Sequence, residues 1–209
     1  SDIDDTLLVT NVHSLFGLAR NLFSGRVEQR QHFPGAPALY HGLHQGSNPL
    51  FFVSSSPWNL HDLLDDTFDY FGLPERVTFL RDWGINDQEI LPTDNIDHKL
   101  KLLRQITGFF PDLPFLLIGD SGQQDPEIYA RFIQENPGRV LAVYIRDVSP
   151  DPRRDAAVLA LGTSGVPLLL ASDSLAMARD AAAHGWLDAA ALGDVETDQG
   201  RTPLGATAA

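Results

Sequence analysis

The chain has 209 residues, a formal net charge of −13 and 43% hydrophobic residues, which is room for one packed α/β domain and tight for two. So acidic a protein is repelled by phosphate backbones, which excludes non-specific nucleic-acid binding. The absence of cysteine excludes disulfide scaffolds, thiolate zinc sites and cysteine nucleophiles. With no apolar run of the ~18–20 residues a membrane-spanning helix needs, a cytoplasmic domain is expected.

In chain order, the opening Asp2-Ile3-Asp4-Asp5-Thr6 reads as the end of a strand. Ser1 alone precedes it, so the strand that delivers Asp2 lacks its apolar run, and the chain is expected to be a piece of something longer. Residues 11–49 depart from the acidity of the rest, with Arg20, Arg26 and Arg30 against Glu28 alone. Within them Val12, Leu15, Phe16, Ala19, Leu22 and Phe23 recur at helical spacing. That face reads either as an ordinary helix packed on a sheet or as a flap that draws in an anionic lipid head group and touches a bilayer.

Short apolar runs at 50–53, 115–118, 140–145 and 166–171, each bounded by turn residues, predict strands buried on both faces of a parallel sheet. Pro167 places the last of them at an edge. Helices fill the gaps. One is expected from a Ser56 cap and Pro57 to Gly72, and another from Asp97 to a stop at Gly108. A third opens at Asp125-Pro126 with Ile128, Tyr129, Phe132 and Ile133 inward, and a fourth runs from Ser172 or Asp173 to near Gly185. The alternation predicts a doubly wound, mainly parallel α/β sheet. One domain is expected over 1–192, with 11–49 as an inserted flap and 193–209 as a frayed tail.

Four elements carry candidate chemistry. Asp2 and Asp4, two residues apart on an extended chain, share a face. They read either as a solvated acidic patch or as a pair in one crevice that needs a hard cation such as Mg²⁺. Ser54 lies where a strand ends and free backbone N–H groups favour an anion, although an ordinary capped turn explains its neighbour Ser56 as well. Lys99, one of two lysines, falls on the inward stripe with Leu102, Leu103 and Ile106 and so needs a counter-charge, unless its stem merely snorkels. Asp120 ends a buried strand, where open α/β sheets place their sites, and Asp125 opens the next helix, as a ligand or simply as its cap. The histidines show no zinc-binding spacing, Trp58 belongs to the crevice rim or the core, and Arg146-Asp147 at a strand end reads as a structural ion pair or as a substrate contact.

The order carboxylate pair, strand-end Ser, helix-start Lys, Gly-Asp strand end resembles that of the haloacid-dehalogenase-like phosphatase superfamily. The strings DIDDT, FFVSSSPWNL, DHK, LLIGDSGQQDPEIY and VYIRDV more closely resemble the catalytic domain of the actin-patch-protein type of phosphatidate phosphatase, a relative of the lipins, over roughly residues 1–184. The resemblance implies Asp2 as nucleophile, Asp4 as general acid, and Ser54 and Lys99 as holders of the transferring phosphoryl group. It implies Mg²⁺ held by Asp2, the Asp4 backbone carbonyl and Asp120, with Asp125 assisting. It further implies an open site, since the spacings from Asp2 to Ser54 and from Ser54 to Lys99 leave room for a minimal cap. A bulky or surface-held substrate suits such a site, foremost phosphatidate at a membrane, with Arg20, Arg26 and Arg30 as recognition residues. The rival readings are the same chemistry on a phosphoprotein or other phosphomonoester, and a non-catalytic phosphatidate-binding module.

Overall fold

A computed structural model describes residues 1–10, 31–82, 95–148, 151–162 and 165–200. Among the described residues five strands are parallel where they pair. β1 (Phe51–Pro57) lies beside β2 (Val77–Arg81), and β3 (Phe115–Asp120) beside β4 (Val140–Arg146), which carries β5 (Leu168–Ala171) at its far side. The two small sheets are joined by the first residues of the chain. Ser1 N donates to Phe51 O at 2.7 Å, Val53 N donates to Ser1 O at 2.8 Å, and Asp2 N donates to Ile118 O at 2.9 Å. Ser1 and Asp2 therefore form the rungs between β1 and β3, and Asp2 leaves them at the carboxyl ends of both.

Period-2 alternation divides the core into two layers. Ala142 and Tyr144 of β4, with Phe52 and Ile118, pack against α1 (Ala36–His44), α2 (His61–Tyr70), α6 (Ser174–Ala183) and α7 (Ala189–Gln199). Val143 and Ile145 of the same strand pack against α3 (Asn95–Phe109), α4 (Asp125–Glu135) and α5 (Pro152–Ala160). Helices thus cover both faces of a mainly parallel sheet, as the strand–helix alternation predicts. β5 pairs with β4 alone among the described strands, the edge position that Pro167 indicates.

The local signals hold in part. Ile128, Tyr129, Phe132 and Ile133 of α4 are buried, Asp173 caps α6 by accepting from Ala176 N at 2.8 Å, and Gly185 follows it at φ 75°. Ser56 does not cap a helix. β1 runs on to Pro57, a 3₁₀ turn (Trp58–Leu60) follows, and α2 starts at His61, because the Ser56 hydroxyl is committed to Asp4. Gly108 does not stop α3, which continues to Phe109. Residues 193–199 are not frayed but belong to α7. Asp188 caps that helix, Val195 is fully buried, and Gly42 of α1 lets it approach closely: a Cβ on Gly42 would lie 2.9 Å from that of Ala191. Within 11–49, residues 11–30, including Arg20, Arg26 and Arg30, lie outside the described residues, whereas α1 buries Ala36, Leu39 and Tyr40 in the core. That part is core helix rather than flap.

The first layer centres on Phe52, which is fully buried with ring centroids 5.5 Å from Tyr40 and 5.0 Å from Phe68. Phe52→Ala is expected to cost about 3–5 kcal/mol, read as a lower denaturant midpoint at an unchanged slope.

Candidate active site

The sequence Asp2-Ile3-Asp4 crosses from rung to turn. Ile3 points into the core at 0% exposure while the acids on either side of it face the carboxyl ends of the strands. The turn is tight: Leu7 N donates to Ile3 O at 2.9 Å, Asp5 N donates to Leu8 O at 2.8 Å, and Asp5 adopts the left-handed conformation at φ 56°. The Asp5 carboxylate accepts from the backbone N–H and hydroxyl of Thr10, both at 2.9 Å, the local hydrogen bonding that makes this backbone tolerable for aspartate.

Lys99, in the first turns of α3, is buried and bridges two carboxylates, Asp2 Oδ1 at 2.7 Å and Asp125 Oδ1 at 2.6 Å. Lys101 is exposed. Asp4 faces β1, where Ser54 Oγ donates to its Oδ2 at 3.1 Å and Ser56 Oγ donates to the same atom at 2.8 Å. Ser54 in turn accepts from Ser56 N at 2.9 Å. Asp120, at the end of β3, accepts through Oδ1 from Gly122 N at 2.7 Å and Gln123 N at 2.9 Å. Its Oδ2 is buried with no hydrogen-bond partner among the described residues. Gly119 makes the close approach possible, since a Cβ there would sit 2.6 Å from the Cβ of Asp125.

The structure therefore brings Asp2, Lys99, Asp120 and Asp125 into one buried cluster and sets Asp4 and Ser54 beside it. Three further residues belong to it. Ser56 shares Asp4 with Ser54, Thr6 Oγ1 donates to Asp2 Oδ2 at 3.4 Å, and Gln123 Nε2 donates to Asp4 O at 3.3 Å. The i, i+2 relation of Ser54 and Ser56 on an extended strand is a signal for the first of these. Trp58 is not in the core: it is 57% exposed, its ring 4.9 Å from that of His61. His98 is half-buried, and burial together with the nearby Arg81 charge lowers its pKa. Arg146 does not pair with Asp147: its guanidinium donates to Thr6 O and Ser174 Oγ, while Asp147 accepts from Ser121 Oγ at 3.2 Å. An apolar cavity of about 350 Å³, lined by Leu50, Phe51, Leu103, Ile106, Phe115 and Leu116 among others, lies at the amino ends of β1 and β3, away from these carboxylates.

Carboxylate oxygens of Asp2, Asp120 and Asp125 all lie within 4.8 Å of one another. With one ammonium among three acids, ionising all three leaves an excess of two negative charges. That charge, the all-oxygen donor set and the orphaned Asp120 Oδ2 fit a hard divalent cation. The crowding also shows in the acidities. Burial, reinforced by the Asp125 and Asp2 charges and partly offset by Lys99, pushes Asp120 up to about 9. Burial raises Asp2 to about 7 against the pull of Lys99, with Asp125 and Asp4 adding to the rise. Burial likewise raises Asp4, although the Ser56 and Ser54 hydrogen bonds oppose it. Burial disfavours the Lys99 ammonium, but the Asp125 and Asp2 charges and hydrogen bonds outweigh it and hold the group above the usual lysine range.

Fold and site together define an α/β domain with a buried carboxylate–lysine centre at the carboxyl end of a parallel sheet. The model of the family "Phosphatidate phosphatase APP1, catalytic domain" matches residues 1–147, which include every group in this centre, and the chain belongs to that family. It is 33% identical over 168 residues to the Saccharomyces cerevisiae protein named phosphatidate phosphatase APP1, covering 76% of this chain and 28% of that protein. It is 36% identical over 101 residues to the uncharacterized protein C29B5.04c of Schizosaccharomyces pombe, covering 48% of this chain and 16% of the relative. The chain thus spans less than a third of the length of either relative. No solved structure matches it.

The raised pKa values imply a pH dependence. In the unfolded chain these carboxyls titrate near ~4, so from there up to about 7 for Asp2 and about 9 for Asp120 the folded state holds more protons. Their contribution to stability is complete at low pH and is lost as the pH rises through the folded values. In EDTA the stability these groups contribute is expected to fall from about pH 4 to about pH 7 for Asp2 and to about pH 9 for Asp120, by up to about 1.4 kcal/mol per pH unit for each titrating group, read as a falling thermal midpoint. Saturating Mg²⁺ is expected to flatten the fall, because binding displaces those protons. Thermal scans at matched ionic strength check this, and a midpoint that climbs over that range in EDTA would contradict the crowding.

Proposed function

We propose that this domain is a Mg²⁺-dependent phosphomonoester hydrolase of the haloacid-dehalogenase type that acts through a phosphoaspartate, with phosphatidate as substrate. The observation that carries the reading is the division of labour between the two neighbouring acids. Asp2 lies against the Lys99 ammonium beside Asp120 and Asp125, whereas Asp4 is held off that cluster by two serine hydroxyls. On this reading one acid attacks and the other moves a proton.

In the first half-reaction an Asp2 carboxylate oxygen bonds to phosphorus as the phosphorus–oxygen bond to glycerol breaks. Asp4, whose buried carboxyl is shifted toward its protonated form, gives its proton to the departing alkoxide and releases diacylglycerol. In the second half-reaction Asp4, now ionised, takes a proton from water as the water oxygen attacks phosphorus, which frees phosphate and regenerates Asp2. Lys99 and the Ser54 hydroxyl stabilise charge on the transferring group, the electrostatic contribution on which phosphoryl transfer chiefly depends. Asp2, Asp120, Asp125 and the Asp4 backbone carbonyl would hold a Mg²⁺ ion, which supplies neutralisation of the phosphoryl oxygens.

The lipid substrate is supported by the family and by the activity for which the yeast relative is named. No helix among the described residues is long and apolar enough to cross a membrane, and on this reading the domain meets its lipid at the membrane surface. Phosphate release from phosphatidate vesicles and from a soluble phosphomonoester, each with Mg²⁺ or EDTA, tests the reading. Turnover is expected to need Mg²⁺ and to favour phosphatidate. Asp2→Asn and Asp4→Asn are each expected to lose at least about 10³-fold in kcat. Substantial turnover by Asp2→Asn would rule out the phosphoaspartate.

A further inference from the structure

Arg146, at the carboxyl end of β4, is 3% exposed. Its Nε donates to Thr6 O at 2.8 Å and its Nη2 donates to Ser174 Oγ at 2.9 Å. Its guanidinium carbon lies 4.3 Å from the centroid of the Phe33 ring. Among the described residues no carboxylate forms an ion pair with it. A buried cation without such a pair is costly, and an apolar side chain of similar size would fill the space more cheaply. What an apolar side chain does not supply is the planar fork that ties two separate segments together.

Both ends of that tie are themselves fixed. Ser174 is the first residue of α6 and is fully buried. Phe33 N donates to Leu7 O at 3.0 Å, so the ring beneath the guanidinium is bound to the same turn that the guanidinium holds. Thr6 O lies two residues beyond Asp4 and belongs to the residue whose hydroxyl reaches Asp2. The turn's other anchors reach it at Leu7 O through Phe33 N and at Asp4 through Gln123 and the β1 hydroxyls, and Arg146 is the side chain that holds it at Thr6 O.

We propose that Arg146 is a positioning residue that clamps the turn at Thr6 O, so that Asp4 keeps its place against Ser54 and Ser56 while Asp2 meets Lys99. The inference rests on the phosphatase reading and deepens it. Arg146 acts through the turn and touches no reacting atom. Lysine in its place keeps a positive charge but presents a single ammonium, which does not span Thr6 O and Ser174 Oγ as the fork does.

The test compares wild type, Arg146→Lys, Arg146→Ala and Ser174→Ala, each as the full chain. Phosphate release and thermal unfolding are measured for all four. Arg146→Lys is expected to lose roughly 10- to 100-fold in kcat, the scale of an ångström's misplacement. KM is expected to stay within about threefold, because substrate contacts are untouched. Added methylguanidinium is expected to restore part of the kcat of Arg146→Ala and none of that of Arg146→Lys. Wild-type kcat in Arg146→Lys, or a defect confined to KM, overturns the proposal. If both Arg146 variants fail to fold, Ser174→Ala decides. A several-fold fall in kcat at an unchanged thermal midpoint supports the clamp, and unchanged kcat overturns it. An inactive wild type instead overturns the phosphatase reading and the clamp with it, whereas an active wild type with an equally active Arg146→Lys removes the clamp alone.

Discussion

A buried ammonium between two buried carboxylates organises this molecule. Lys99 sits within 2.7 Å of both Asp2 and Asp125, and the three groups come from three distant parts of the chain: the rung between β1 and β3, the first turns of α3 and the start of α4. Removing Lys99 would leave buried carboxylates without their cation, at a cost of about 3–5 kcal/mol. Much else in the structure follows from keeping them together. Ser1 and Asp2 must be hydrogen-bonded on both sides so that Asp2 does not fray, and Gly119 must lack a side chain so that Asp125 can pass over the end of β3.

The same constraint separates two acids that the sequence places only two residues apart. Asp2 is drawn to the ammonium, and Asp4, turned by the left-handed Asp5 backbone, is caught by the hydroxyls of β1. Neighbouring carboxyls in different surroundings can take different chemical roles. Here the difference is made by the partners: a cation and two further acids for one, neutral hydrogen-bond donors for the other.

Lys99 was legible in the sequence because a lysine on an apolar helical stripe conflicts with its surroundings unless a counter-charge waits there. The strands of the core were legible because burial on both faces requires unbroken apolar runs. β2 was not. Its residues Val77-Thr78-Phe79-Leu80-Arg81 change from exposed to buried along their length, which leaves neither a clean run nor a clean alternation. α7 was hidden by its weak apolar face, an Ala- and acid-rich segment that buries Val195 alone. Ser56 and Arg146 were misassigned for a different reason. A serine before proline at a strand end satisfies the local rule for a helix cap, and an arginine beside an aspartate satisfies the local rule for an ion pair. In both cases a partner more than 50 residues away in the chain took the side chain instead.

Net charge, the first property read from the sequence, bears differently on the surface and on the site. With the acids of the centre ionised, Lys99 is already shared by two of them, and a phosphomonoester entering the cluster meets two negative charges in excess. The acidic surface adds a long-range repulsion, confined by physiological salt to about 8 Å from the charges that cause it. Electrostatic steering of an anionic substrate from bulk water is therefore unfavourable, and attraction has to arise at short range. Under the proposed chemistry Asp2, Asp120 and Asp125 would hold a divalent cation that would supply this attraction and make the cluster a receptor for phosphate. A lipid held at a membrane surface suits this arrangement, because it is presented at close range and needs no field to guide it.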